Sequence, residues 1–261
     1  MAKRPQEIKQ FYEKEAALVS SPFITQFNEV NGELFHHVFS KLGIPEGNRR
    51  VVLDVGCGRG LLSTQFGPPT RYVGIDLALQ KTIFDLKDGR RSFVQGDGHF
   101  LPIKSNSVDL LVCLDSFEHY PDMARAAREF RRVLKKDGDL FLSIPTYSNV
   151  AGLVKRAYEK SGRVEPFSWA PFDFWKKQEL EQFITPAKIK AIFGGAGFTA
   201  MNFIGYREEI VVGVFPWIWH PRMPKKAASL LYHLFKWFSA PLNRWFPRLS
   251  LHTFWRIGST D

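Results

Sequence analysis

One stretch constrains this chain more than any other: Arg50-Val51-Val52-Leu53-Asp54-Val55-Gly56-Cys57-Gly58-Arg59-Gly60. An apolar run ends in an acid, and three glycines then alternate. Val51, Val52, Leu53 and Val55 are β-formers in a near-continuous run, as expected of a central parallel strand covered on both faces. Gly56, Gly58 and Gly60 give a turn in which backbone can approach a ligand without Cβ interference. Residues 61–66 read as the helix that follows. A strand, a glycine turn and a helix N-terminus together make a site for a nucleotide-type cofactor.

The rest of the chain alternates in the same way. Helices are expected at Ile8–Leu18 and Asn28–Leu42, the second because Val30, Leu34, Val38 and Leu42 recur at helical spacing. Further strands are expected at Arg71–Asp76, Ser92–Gly96, Val108–Asp115, Asp139–Ile144 and Thr199–Tyr206, with a last one at Thr253–Gly258. Helices are predicted at Ala78–Leu86, from Pro121-Asp122 through Leu134, and from Thr185-Pro186 to Ala196. The last opens on an N-cap threonine with proline at the first helical position. Strands alternating with helices at this spacing imply an α/β, doubly wound, mostly parallel sheet. Four regions are expected: N-terminal helices acting as a cofactor lid (1–48), the core (49–206), an aromatic basic insertion (207–252) and the closing strand (253–261). Residues 146–182 read as a long irregular connection rich in aromatics.

Composition narrows the function classes. Two cysteines, Cys57 and Cys113, have no CxxC partner, which argues against a zinc site and a disulfide framework and suits a reducing cytosol. No metal site is expected. The N-terminus has no apolar core of signal-peptide length, and no apolar run is long enough for a transmembrane helix. The formal net charge of +10 is uneven. From Ile210 onward seven Lys/Arg face one acid, Asp261, and five of the seven tryptophans fall in the same segment. A basic, tryptophan-rich tail suits a phosphate polymer or an anionic membrane surface.

The motifs resemble those of the class I S-adenosylmethionine-dependent methyltransferases, in the small-molecule (type 11-like) branch. Val52 to Gly60 looks like the first motif and Gly74-Ile75-Asp76 like the second. Gly96-Asp97-Gly98-His99-Phe100-Leu101-Pro102-Ile103, followed by Ser107-Val108-Asp109-Leu110-Leu111, matches the third region. Glu129 to Leu140 resembles the helix, turn and strand after it. The likeness covers about residues 30–206. A nicotinamide fingerprint fails, because the third glycine follows the second by two positions instead of three. The resemblance implies S-adenosylmethionine as cofactor and a Rossmann-like fold. It implies that Gly56 and Gly58 let backbone approach the amino-acid tail, with Gly60 in the same cofactor-binding turn and Asp54 orienting the turn or accepting from the ammonium. It further implies that Asp76, beside Leu77, takes the ribose hydroxyls and that Asp97 accepts from the adenine amino group, Gly98 leaving room for the ring. Asp115 closes this set.

The methyl acceptor should approach outside the carboxyl ends of the strands, near Asp115-Ser116-Phe117-Glu118-His119-Tyr120. His119 is the candidate general base, since neutral imidazole can accept a hydroxyl proton near pH 7. The alternative is a structural histidine bonded to a loop carbonyl. Tyr12, Tyr120, Trp169 and Trp175 are candidate substrate-binding aromatics, and Phe11 or Tyr12 could close over the sulfonium by cation–π attraction. In the insertion, a helix at Ala227–Ala240 would carry a narrow polar stripe of Lys226, Ser229, His233 and Lys236 on an otherwise greasy surface. It reads as a membrane-interface or lid helix, with a buried core helix as the alternative. The leading function is methyl transfer to a small lipophilic acceptor (a quinone, lipid or secondary metabolite) by a cytoplasmic protein peripheral to a membrane. RNA or protein methylation is the second reading; nucleic acid is disfavoured because the cations sit among tryptophans and leucines. A non-catalytic binding module is the third.

Overall fold

The computed structural model describes residues 5–15, 38–43, 51–79, 81–172, 175–206 and 209–259. Of the predicted Asn28–Leu42 helix, only its end lies within the described residues, and positions 38–41 are helical there. Elements are numbered in chain order as follows: α1 Pro5–Glu15, β1 Val51–Val55, β2 Arg71–Asp76, β3 Arg91–Gln95, β4 Val108–Leu114, α2 Met123–Val133, β5 Leu134–Pro145, α3 Val150–Lys160, α4 Pro186–Gly195, β6 Ala200–Gly205, α5 Ile210–Val214, α6 Lys225–Trp245 and β7 His252–Gly258.

The seven strands form one sheet in the order β3-β2-β1-β4-β5-β7-β6. β7 runs antiparallel to both β5 and β6, and the remaining pairs are parallel. The doubly wound, mostly parallel sheet read from the sequence is therefore the observed one. Chain order reverses between β1 and β4, the switch point at which ligands bind in open α/β sheets. Side chains alternate between two cores, as a strand period of two requires. Leu53, Val55, Leu111, Cys113, Leu140, Leu142 and Trp255 line one face. Val52, Leu110, Val112, Phe141 and Phe254 line the other. Both faces are apolar, which is why β1 and β4 read as continuous runs.

Several elements differ from their sequence reading. Leu61–Gln65 and Lys81–Leu86 are 3-10 turns, where the sequence predicts α-helices. Each has five or six residues before a breaker, too few for nucleation to be repaid. Pro68-Pro69 follows the first, and Asp88 closes the second by accepting from the N–H groups of Arg90 and Arg91. β5 begins at Leu134, five residues before the predicted start. The chain leaving α2 pairs at once with β4, Val108 opposite Leu134, and this tertiary pairing overrides the Lys-Asp-Gly stop signal. The connection at 146–182 contains a full helix, α3, capped by Asn149, whose Oδ1 accepts from Gly152 N–H.

The predicted insertion helix is longer than Ala227–Ala240. α6 has 21 residues and runs through Pro241, about 31 Å at 1.5 Å per residue. Its inner face (Ala228, Leu231, Tyr232, Phe235) packs on a third core of Tyr147, Ala151, Val211, Val212, Ile218 and Leu251. Asn243 Nδ2 donates to Gly205 O and ties α6 to the edge of the sheet. No helix among the described residues is long and apolar enough to cross a membrane.

Candidate functional site

The glycine turn sits where β1, β2 and β4 end together. Gly56 N–H donates to Ile75 O at 2.8 Å, and Gly58 N–H donates to Asp76 Oδ2 at 2.8 Å. The other carboxylate oxygen of Asp76 accepts from Ala78 N–H at 2.7 Å. Two backbone donors thus orient Asp76 at the tip of β2, offset by burial, which raises its pKa. Gly56 has φ +83, and a Cβ there would lie 2.1 Å from Ser116 Oγ, so the loop after β4 can close against the turn after β1 only over a glycine. At Gly58, with φ +50, a Cβ would meet nothing within 4 Å. The turn is tight on the side of Ser116 and open above Gly58.

Asp54 is buried, and the Tyr72 hydroxyl donates to its Oδ2. Burial pushes its carboxyl up to about 7; the bond from Tyr72 opposes this and the charge of Asp76 adds to it. This bond ties the end of β1 to β2. Leu77 is half-buried beside Asp76, and its carbonyl accepts from Gln95 Nε2. Gly60, also at positive φ, packs against Ile83 and Phe93 and shapes the turn from behind. Asp97, past β3, accepts from His99 N–H at 2.9 Å and pairs with His99 Nδ1 at 2.5 Å. Burial raises its pKa, but those interactions outweigh it and hold the carboxyl below the ordinary range. A Cβ at Gly98 would lie 2.6 Å from the Tyr120 ring, so the glycine makes room for that tyrosine. Tyr120, expected against substrate, packs on His99, Phe117 and Phe130.

Past β4, the 3-10 turn Phe117–His119 meets an irregular stretch some 60 residues later. Gln182 N–H donates to Glu118 O, Gln182 Nε2 to Tyr120 O, and Tyr147 N–H to Ile184 O. These bonds hold Glu181 against the turn. His119 Nδ1 lies 2.5 Å from Leu180 O. A carbonyl only accepts, so Nδ1 carries a proton, and in the neutral ring Nε2 is the nitrogen with the lone pair. His119 Nε2 lies 3.8 Å from Glu118 Oε1, and Nδ1 lies 3.8 Å from Glu181 Oε2. The tyrosine at 147 donates to Glu181 Oε1 at 2.5 Å. Burial raises the pKa of both glutamates, and their mutual repulsion pushes Glu118 further. The Tyr12 ring on α1 lies 5.3 Å from the His119 ring, so this candidate does reach the site.

Trp169 and Trp175 do not show that placement. Trp169 is buried and stacks on Tyr158 of α3. Trp175 packs on Trp169 and His220, and its indole N–H donates to Pro216 O. They cement the connection to the insertion. Asp115 adopts φ +45 and accepts from Ser143 Oγ at 2.7 Å. His252 Nε2 lies 3.6 Å from Asp115 Oδ1, while its Nδ1 is bonded to Glu209. Sequence reasoning misses Glu118, Glu181, Tyr147, Glu209 and His252. Glu118 alone has a local signal, as the neighbour of His119. The others meet only through contacts 34 or more residues apart. Both cysteines are buried, and burial pushes their thiols up, which leaves neither as a nucleophile.

A family described as "Methyltransferase domain" matches residues 53–142. The chain is 31% identical over 175 residues to a demethylmenaquinone methyltransferase of Thermotoga maritima, covering 59% of this chain and 72% of that protein. It is 32% identical over 148 residues to a ubiquinone biosynthesis O-methyltransferase of Xanthomonas oryzae, spanning 53% of this chain and 62% of that one. Among solved structures, an Archaeoglobus fulgidus SAM-dependent methyltransferase superposes with a TM-score of 0.55 at 14% identity, over 92% of this chain and all of that one. A Haloferax volcanii protein described as a putative methyltransferase in complex with the Trm112 activator gives 0.57 at 17% identity, over 95% and 96%. At these identities the two structures speak for the fold. With its motifs in register on such a sheet, the chain belongs to the class I S-adenosylmethionine-dependent methyltransferases, an enzyme family whose methyl donor is its cofactor.

Proposed function

We propose that this enzyme methylates a small lipophilic acceptor taken up at an anionic membrane surface. The observation that carries the reading is the outer face of α6. Leu230, Leu234, Trp237, Phe238 and Trp245 are all exposed, Trp237 at 87% and Trp245 at 74%, and Phe246 continues the patch. Their spacing places them on one side of the helix, opposite the face that packs on the third core. Single exposed apolar residues need no explanation; a contiguous aromatic stripe does. α6 holds Lys225, Lys226, Lys236 and Arg244 and no acid, and Arg248 follows it. An apolar stripe bordered by cations matches an interface helix lying at headgroup level. The Thermotoga and Xanthomonas relatives carry quinone-related names, in keeping with a lipophilic acceptor.

The cofactor's place in this reading is the switch point. Asp76 would take the ribose hydroxyls, the turn at Gly56 to Gly60 the amino-acid tail, and Asp97 the adenine edge, with Leu77 and Asp115 alongside. The open space above Gly58 and the fixed carboxylate of Asp76 suit such a group. Bound there, S-adenosylmethionine supplies an electrophilic methyl on a sulfonium. The chain's own contribution is placement, which can account for much of a methyl-transfer barrier. Tyr12 and the Phe117–His119 turn border the acceptor, and the His119–Glu118–Glu181 cluster is where an acceptor proton would go.

Vesicle co-sedimentation tests the reading. The full chain should pellet with vesicles containing anionic phospholipid and much less with zwitterionic ones. Leu234→Ser/Trp237→Ser/Phe238→Ser should stay in solution with cofactor affinity unchanged. Equal, negligible pelleting of both proteins, or a monomer-to-dimer shift in size-exclusion chromatography that the triple variant abolishes, would replace the membrane with water or a second copy. Isotopically labelled cofactor incubated with a lipid extract, read by mass spectrometry, then identifies the methylated product.

A further inference from the structure

We propose that Glu118, His119 and Glu181 bind a divalent metal ion at the acceptor end of the sheet. One ligand atom from each residue lies within 4.8 Å of the other two. His119 Nε2 lies 3.8 Å from Glu118 Oε1, too long for a hydrogen bond, so the two groups face one another without joining; the equal approach to Glu181 Oε2 is made by Nδ1, whose proton Leu180 O takes. Three atoms no more than 4.8 Å apart have a common centre at most about 2.8 Å from each. An inward shift of about half an ångström by these side chains reaches the roughly 2.0–2.2 Å of zinc–imidazole and zinc–carboxylate bonds.

A second observation is independent of that spacing. Glu118 is 3% exposed, and its Oε2 has no hydrogen-bond partner among the described residues. A buried carboxylate oxygen left unpaired is costly and rare. Glu181 is 1% exposed. A cation between the two carboxylates removes both the orphan and the repulsion.

The surrounding bonds already aim the donors. Leu180 O takes the Nδ1 proton of His119, which directs the Nε2 lone pair outward from the backbone. The Tyr147 hydroxyl occupies Glu181 Oε1 and leaves Oε2 available. Such outer partners fix tautomer and orientation in metal sites. One imidazole and two carboxylates suit manganese, iron or zinc better than calcium. With Glu118 and Glu181 both buried, a single ion needs less room than an organic ammonium with its own substituents. With the ion in place His119 is a ligand rather than a free base, and an open coordination position would receive an oxygen of the acceptor. That last role rests on the acceptor meeting the cofactor here; the binding itself does not.

The test uses the full chain stripped with chelator and titrated with Mn²⁺ alone, followed by electron paramagnetic resonance and calorimetry. One Mn²⁺ per chain should bind and raise the melting temperature. Glu118→Gln and Glu181→Gln should each weaken binding at least tenfold and lose the thermal shift, with S-adenosylmethionine still binding as evidence of an intact fold. No saturable Mn²⁺ binding by the wild type, or unchanged affinity in both variants, would overturn the proposal. So would displacement of the ion by millimolar ethylammonium with the same sensitivity to substitution, which would assign the cluster to an amine instead. Neither acceptor nor vesicle enters the titration, so its failure leaves the membrane reading standing.

Discussion

Asp54 shows how much one side chain can set the pH response. Its folded pKa of about 7 lies above the ordinary 3.8. Between those values the unfolded chain has shed the proton and the folded chain keeps it, so stability falls as pH rises and levels off above 7. One proton corresponds to about 1.4 kcal/mol per pH unit, or on the order of 4 kcal/mol across the window. Asp54→Asn should flatten that slope when urea midpoints at pH 4.5 and 7 are compared; an unchanged slope would place the titration elsewhere. Gly56 offers a sharper test, because its positive φ and the 2.1 Å separation between an added Cβ and Ser116 Oγ act together. Gly56→Ala should cost on the order of 1–3 kcal/mol in thermal unfolding and weaken S-adenosylmethionine binding at least tenfold by calorimetry.

At the scale of elements, α3 and α6 behave oppositely. α3 is held by Asn149, which caps it and whose Nδ2 also donates to Thr146 O and Ser250 O. Asn149→Ala removes a cap and leaves two buried carbonyls short of a donor. We expect a loss of roughly 2–4 kcal/mol in chemical denaturation, more than a surface cap alone would give. Substitutions on the outer face of α6 should be nearly silent in the same assay. Trp237→Ser removes a side chain that is 87% exposed, so its effect should stay within about 0.5 kcal/mol. A large loss there would mean that the stripe is covered by protein.

For the whole molecule, the joint between insertion and sheet is a buried charge pair. His252 opens β7, and Glu209 precedes α5. Burial disfavours the charged ring, but the Glu209 and Asp115 carboxylates outweigh it and push the pKa up to about 9. Because that value lies above the ordinary 6.5, the contribution is complete below pH 6.5 and is lost as pH rises through 9. Glu209→Gln should lower stability at pH 6 and shrink the difference between pH 6 and pH 9, measured by urea unfolding. With Asp54 acting in the same direction at lower pH, the fold should be firmest in mild acid.

The strand ends and glycine turn are legible because their signal is local. β1 and β4 are apolar on both faces, Gly56 must be glycine for the close approach of Ser116, and Asp76 and Asp97 recur at strand ends. Periodicity marks α4 through its Thr185 cap, while α3 escapes because its helical pattern lies inside an aromatic connection. The boundary at Leu134 escapes because pairing with β4 decides it. The cluster past β4 is half legible: His119 stands out, but its partner Glu181 lies 62 residues on and has no motif of its own. The sequence by itself determined the sheet, the turn and the class of cofactor, since those follow from runs and spacings of neighbouring residues. Only the tertiary structure decided that Tyr120 fills the space beside Gly98, that Trp169 stacks on Tyr158 while Trp175 bonds Pro216, and that two buried glutamates face one histidine. Those outcomes depend on which distant segments share a volume, and no local pattern encodes that.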